Sequence, residues 1–155
     1  MDIYEVIKQD HDKARRMIAE LAETDERAAE RRAELYPDLK NELMMHQHVE
    51  EAVFYSRLES EDDTRADALE AKNEHHIVDT LLEELDVMPK DNDEWTAKFG
   101  VLREVVEHHM EEEEEEFFER AREVIDDSLA RKMGKQMQDK KAAGLSAMEH
   151  VNQAS

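Results

Sequence analysis

Apolar residues recur along this chain at alternating steps of three and four. That spacing puts them on one face of a helix. The pattern is cleanest over Ala68, Ala71, His75, Val78, Leu82 and Leu85, and it predicts a helix from about Thr64 to Leu85. Ile3, Ile7, Ala14, Ile18 and Leu21, flanked by Val6 and Met17, predict a helix from Ile3 to Glu23 with Asp2 as its cap. A second helix ends near Glu59 and starts either near Asp25, with a kink at Pro37, or close to Pro37 itself. Phe99, Leu102, Val106, His109, Glu113 and Phe117 predict a helix from Glu94 to Val124, after a loop over Val87–Asp93 holding Pro89 and Asn92. Asp126-Asp127-Ser128 reads as a break and cap before a fifth helix carrying Leu129, Met133 and Met137, fading after Gly144. Short links favour antiparallel neighbours. The expectation is all-α: an up-down-up-down antiparallel four-helix bundle over residues 1–125. A short C-terminal helical extension, 126–155, would pack on the bundle or trail from it.

Composition narrows the function. A chain of 155 residues is one ordinary domain, able to bury roughly 70% of its unfolded surface. With 42 acidic against 21 basic residues, the net charge of −21 argues against phosphate-backbone binding and against anionic membrane surfaces. No apolar run approaches the length of a membrane span. Met1-Asp2-Ile3-Tyr4-Glu5 has no basic-then-apolar signal pattern, and cysteine is absent. Disulfides and thiolate metal sites are excluded, and a cytoplasmic location is expected.

Each of the four long helices interrupts its apolar stripe with a histidine. These are His11, His46, His75 and His109, and two helices add a glutamate four residues later, Glu50 and Glu113. Buried carboxylates and imidazoles without partners cost several kcal/mol each. Converging on one layer, these six groups can be neutralised by one or two divalent cations. Nitrogen and oxygen ligands without sulfur suit iron, manganese or zinc, and iron suits mixed His/Glu bundle sites. Residues at i and i+4 lie one above the other on a helix, so His-x-x-x-Glu can give one metal a nitrogen while its carboxylate leans toward a second.

Rival histidines fall elsewhere. His76 shares a mostly polar stripe with Leu69, Lys72 and Glu83, and His108 with Glu112 reads as a solvated pair. His48 has Ala52 at i+4 and Glu51 at i+3, a weak competitor, and His150 near the end is incidental. Of the run Glu111–Glu116, only Glu113 falls on the stripe, and the rest reads as an exposed acidic face. Tyr4 and Tyr55 are candidate donors to the ligands.

The stretches Asp10-His11-Asp12, Met45-His46-Gln47-His48-Val49-Glu50, Glu74-His75-His76 and His108-His109 through Phe118 together resemble the hemerythrin family, specifically the hemerythrin-like HHE cation-binding domain, over about Ile3–Val124. The resemblance implies a non-haem di-iron centre inside a four-helix bundle. His11, His46, His75 and His109 would be terminal ligands, and Glu50 and Glu113 bridges. Manganese or zinc are the substitutes to expect. Oxygen-carrying members have a second histidine one turn after the helix-three ligand, where this chain has Asp79. The ligand pattern is instead similar to hemerythrin-like proteins of actinobacteria, some of which decompose hydrogen peroxide. The missing histidine should leave a position for water, peroxide or Asp79, and an exchangeable position favours catalysis. The family also often has proline after the aromatic, where this chain has Ser56 and Glu119.

The expected function is reaction of a di-iron centre with peroxide, dioxygen or nitric oxide, including catalase-like peroxide decomposition. Two alternatives stay open: a non-catalytic binder or sensor of oxygen, nitric oxide or iron, and a structural adaptor stabilised by metal. The expected partner is a small molecule, with no nucleic acid or membrane, in a monomer or weak homodimer.

Overall fold

The computed structural model describes the backbone of residues 1–154 and the side chains of residues 1–145. The described residues are all-helical, with no strand. No helix among them is long and apolar enough to cross a membrane.

Helix α1 spans Ile3–Ala22 and opens with a capping box. The Asp2 side chain accepts from the Glu5 N–H at 2.9 Å, and the Glu5 carboxylate accepts from the Asp2 N–H at 3.3 Å, so two end donors are satisfied reciprocally. A single turn of 3-10 helix, Glu26–Ala28, is capped by Asp25 and leads into α2. This settles the open start of the second helix in favour of Asp25, with Pro37 inside the helix. Helix α2 runs continuously over 29–59: an α-helical stretch Ala29–Glu50, a π turn Glu51–Tyr55, and a closing α-helical Ser56–Glu59. Helix α3 is Asp62–Val87. Helix α4 begins at Asp93, where Asn92 accepts from the Trp95 N–H at 3.1 Å; it comprises Asp93–Glu112, a π turn Glu113–Phe117, and Phe118–Arg122. Helix α5 is Asp127–Ala154, with the Asp126 carboxylate accepting from the Leu129 N–H at 2.8 Å. The break and cap at 126–128 are as expected, but α5 keeps helical backbone well past Gly144. His150 lies beyond the described side chains.

Helices α1–α4 touch in a closed circuit: α1 on α2, α2 on α3, α3 on α4, and α4 back on α1. Helix α5 lies against α1 and α2. It approaches so closely that a Cβ on Gly134 would sit 2.3 Å from the Met1 carbonyl oxygen, so a bare backbone is required there. Ala130, Met133 and Met137 then join the apolar core.

The core is divided in two. One cluster joins Ile3, Ile7, Phe54, Leu58, Ala68, Phe117, Phe118, Ile125 and the α5 methionines. The other joins Ile18, Leu21, Tyr36, Leu39, Val78, Leu82, Leu85, Trp95, Phe99 and Leu102. The second is tied at its end by Arg32, only 1% exposed, which donates to Thr24 Oγ1, the Lys90 carbonyl and Thr96 Oγ1 while stacking on Trp95. The predicted α3 stripe, Ala68 through Leu85, is buried at every position. The predicted α4 stripe is buried as far as Phe117 too, but the buried positions then become Phe118, Ala121 and Ile125, and Val124 is only partly covered. The π turn is the reason. Its wider ring inserts a residue, with the Phe118 N–H bonding the Glu113 carbonyl five residues back, and the apolar face advances by one position.

Candidate metal centre

Between the two apolar clusters the helices supply a polar layer. His11 comes from α1, His46 and Glu50 from α2, His75 from α3, and His109 and Glu113 from α4, all buried. The six residues read from the sequence are brought together. His11, His46, Glu50 and Glu113 each present a ligand atom within 4.8 Å of one another, and Glu50, His75 and His109 form a second such group. Glu50 is shared, with Oε2 3.2 Å from His46 Nε2 and Oε1 3.1 Å from His75 Nε2. Glu113 spans likewise, with Oε1 3.3 Å from His11 Nε2 and Oε2 3.5 Å from His109 Nε2.

Proximity here is not hydrogen bonding. His11 Nε2, His46 Nε2, both Glu50 oxygens and Glu113 Oε1 are buried without a hydrogen-bond partner. Five orphaned polar atoms facing a common centre are costly in a core of this kind. A cation accepting lone pairs from all of them removes that cost, and the nitrogen–oxygen donor set fits iron, manganese or zinc.

The rings are aimed from behind. Each histidine turns Nε2 inward and offers Nδ1 to an outer carboxylate: His11 to Glu114 at 2.9 Å, His46 to Asp10 at 2.9 Å, His75 to Glu51 at 3.1 Å and His109 to Glu74 at 3.1 Å. Such partners fix the ring orientation and tautomer of a metal-binding imidazole. None of the four carboxylates was assigned this role from the sequence. Glu114 corrects the expectation of an exposed acidic face: it is 16% exposed and turned inward. Asp10 is the residue before His11, and periodicity places it beside the stripe rather than on it.

Charge follows the same geometry in the metal-free protein. Burial opposes the His46 imidazolium, but Glu50 and Asp10 override it and push the ring up to about 10. Burial also opposes charge on His75, and Glu50 and Glu51 raise it to about 9. Burial works against the Glu50 carboxylate, yet His46 and His75 hold it well below the usual range. Burial and the neighbouring Glu50 raise Glu113. Burial opposes ionised Glu114, and His11 with Arg15 brings it down to about 2.

Tyr55 belongs to the site and Tyr4 does not. The Tyr55 hydroxyl donates to Glu113 Oε2 and lies 3.2 Å from His109 Nε2 and 3.5 Å from His75 Nε2. Burial and the Glu113 and Glu50 charges raise its pKa well above the usual value, so it remains a proton donor. Tyr4 instead packs on Phe54 and Phe118 under the Arg122 guanidinium, its hydroxyl buried without a partner. Asp79 also stands apart. It is partly exposed and lines a surface groove with Glu51, His75 and His76, outside both convergent groups. The expectation that Asp79 could fill a metal position is corrected: at that register α3 faces Glu51 on the surface of α2. His76 and His108 are exposed, as expected, and the weak competitor His48 is exposed as well.

On the other side of the histidines lies a cavity of about 20 Å³, lined by Ala14, Leu43, Val78, Val106 and Met110 together with all four imidazoles. It has room for about one water-sized molecule.

A family model, the hemerythrin HHE cation-binding domain, matches residues 2–121, and the chain belongs to that family. The crystal structure of a hemerythrin HHE cation-binding domain-containing protein from Mycobacterium kansasii is similar at a TM-score of 0.78 and 25% identity, covering 96% of this chain and 93% of that one. No curated protein matches the sequence.

Proposed function

We propose that this protein holds two iron ions between its apolar clusters and reacts with a small oxidant or diatomic ligand: peroxide, dioxygen or nitric oxide. In this reading His11 and His46 would hold one ion and His75 and His109 the other, with Glu50 and Glu113 as the carboxylates that would be shared between them. Residues 1–125 form the up-down-up-down bundle that carries the centre, and 126–155 are its C-terminal helical extension. The observation that carries the proposal is the set of five buried, unpartnered nitrogen and oxygen atoms converging from α1, α2 and α4.

A bound iron pair supplies redox change and Lewis acidity that no side chain here has. The chain's own residues do the rest. Asp10, Glu51, Glu74 and Glu114 hold the four rings in one tautomer through Nδ1. Tyr55 holds a proton at its hydroxyl against Glu113. Ala14, Leu43, Val78, Val106 and Met110 give the small cavity beside the histidines an apolar wall, and its size limits its contents to molecules of a few atoms. Peroxide decomposition is the preferred reaction because, among the described residues, His75 is the one ligand candidate that α3 brings to either convergent group, which leaves a position for exchange.

Anaerobic reconstitution with ferrous iron, followed by metal analysis and a peroxide-consumption assay, tests the proposal. Two ions per chain and sustained turnover are expected. A stoichiometry of one or none sinks the two-ion reading. Two ions without turnover, but with binding of nitric oxide or dioxygen, would make the protein a binder.

A further inference from the structure

The two metal positions differ in what stands behind their histidines. Behind His46, Asp10 is 8% exposed, and its Oδ1 receives the Lys141 ammonium of α5 at 2.5 Å. The same ammonium reaches Glu42 Oε1 at 2.7 Å, and Lys13 meets Glu42 Oε2 at 3.1 Å. Behind His11, Glu114 receives Arg15 at 2.5 Å. Glu51 and Glu74, behind His75 and His109, are more open at 35% and 24% exposed, and neither meets a lysine or arginine among the described residues.

We infer that Lys141 is a positioning residue for the His11–His46 metal position, reaching it from α5 through Asp10. The inference rests on the two-ion reading above. A carboxylate can aim an imidazole only if it is itself held. Asp10 and Glu42 are two buried carboxylates converging on one ammonium. Without that cation they repel each other and lack a buried counter-charge, so Asp10 must swing toward water or take a proton. Either response frees the His46 ring. The Lys141 stem crosses from a helix that lies outside the matched residues 2–121, so the extension completes the surroundings of one ion and leaves the other to its unpinned carboxylates. The position backed by two cations is thereby the more rigid, and the His75–His109 position the more adaptable.

Equilibrium titration with ferrous iron against a competing chelator, under anaerobic conditions, separates the two positions in the full chain. In Lys141→Met one of the two ions should bind about 10-fold or more weakly, the range for loss of a partner behind a metal-binding histidine, while the other keeps its native affinity. Lys141→Gln should behave alike, which guards against a folding defect in the first variant, and Lys141→Arg should restore most of the loss. Met137→Ala loosens the packing of α5 without touching Asp10. It should lower the melting temperature and leave the ratio of the two affinities unchanged. Equal weakening of both ions in Lys141→Met, or no weakening of either, would overturn the role given to Lys141. A native chain that takes up fewer than two ions would instead overturn the two-ion reading itself, before any variant is compared.

Discussion

Tyr55 lies five residues beyond Glu50 on α2, yet its hydroxyl donates to Glu113 on α4. In an unbroken α-helix a residue at i+5 points well away from residue i. The π turn Glu51–Tyr55 brings the phenol back under the polar layer. The matching turn on α4 places Phe117 and Phe118 one layer below Glu113. Tyr55 thereby reaches from the helix of Glu50 to the Glu113 carboxylate.

Removal of that hydroxyl tests its part. Tyr55→Phe keeps the ring but leaves a buried Glu113 oxygen without its donor. Loss of a hydrogen bond to a charged group costs about 1.5–3 kcal/mol. The metal-free variant should unfold at lower denaturant than the native chain, while iron loading still reaches two ions. Loss of an ion from Tyr55→Phe would mean that the phenol itself contributes to metal binding.

Neighbouring histidines give the sharpest test of register. His109→Ala should lose metal and His108→Ala should keep it, because His109 is 7% exposed and faces Glu113 while the His108 side chain is 74% exposed. His75 and His76 should differ in the same way. Metal content measured on the four purified variants decides it, and equal losses within either pair would contradict the site.

The stripes made the six central residues legible because a histidine or glutamate in a three-four apolar rhythm must be buried, whatever it binds. The α3 stripe could be read to its last residue. What could not be read has two physical causes. A π turn breaks the period, so the buried positions after Phe117 could not be read by angle, and neither could Tyr55. A signal does exist in retrospect: His46, Glu50 and Phe54-Tyr55 repeat the spacing of His109, Glu113 and Phe117-Phe118, and paired aromatics one turn after the glutamate mark the inserted residue on both helices. The outer carboxylates were hidden for another reason. Asp10, Glu51, Glu74 and Glu114 sit beside the stripes, among 42 acidic residues of which most are solvated. Only the packing of one helix on the next selects these four, and Lys141 is reached across 131 residues of sequence.

Asp79 provides a test with a null expectation. Since it faces the groove with Glu51 and His76, Asp79→His should leave iron stoichiometry, azide binding and peroxide consumption per iron pair within error of the native protein. A slower peroxide reaction at matched loading would show that position 79 reaches the metals after all.

The last test uses pH. In the metal-free fold His46 is raised to about 10 and His75 to about 9, from an ordinary value of 6.5. A group whose pKa is raised on folding contributes stability that is complete below its unfolded pKa and is lost as pH climbs through the folded one. Metal-free protein should therefore be most stable near or below pH 6.5, until other carboxylates protonate, and should weaken steadily toward pH 9–10. Metal binding runs the other way, because the same rings must give up their protons to become ligands. The rise in melting temperature on adding metal should then grow with pH across that window, and binding at pH 7 should release protons. Calorimetric titration in buffers of different ionisation enthalpy measures the release directly, and zinc serves as a redox-silent probe. Proton-neutral binding at pH 7, or a metal-free protein whose stability rises between pH 7 and 9, would mean that His46 and His75 do not carry the charge that balances Glu50 when metal is absent.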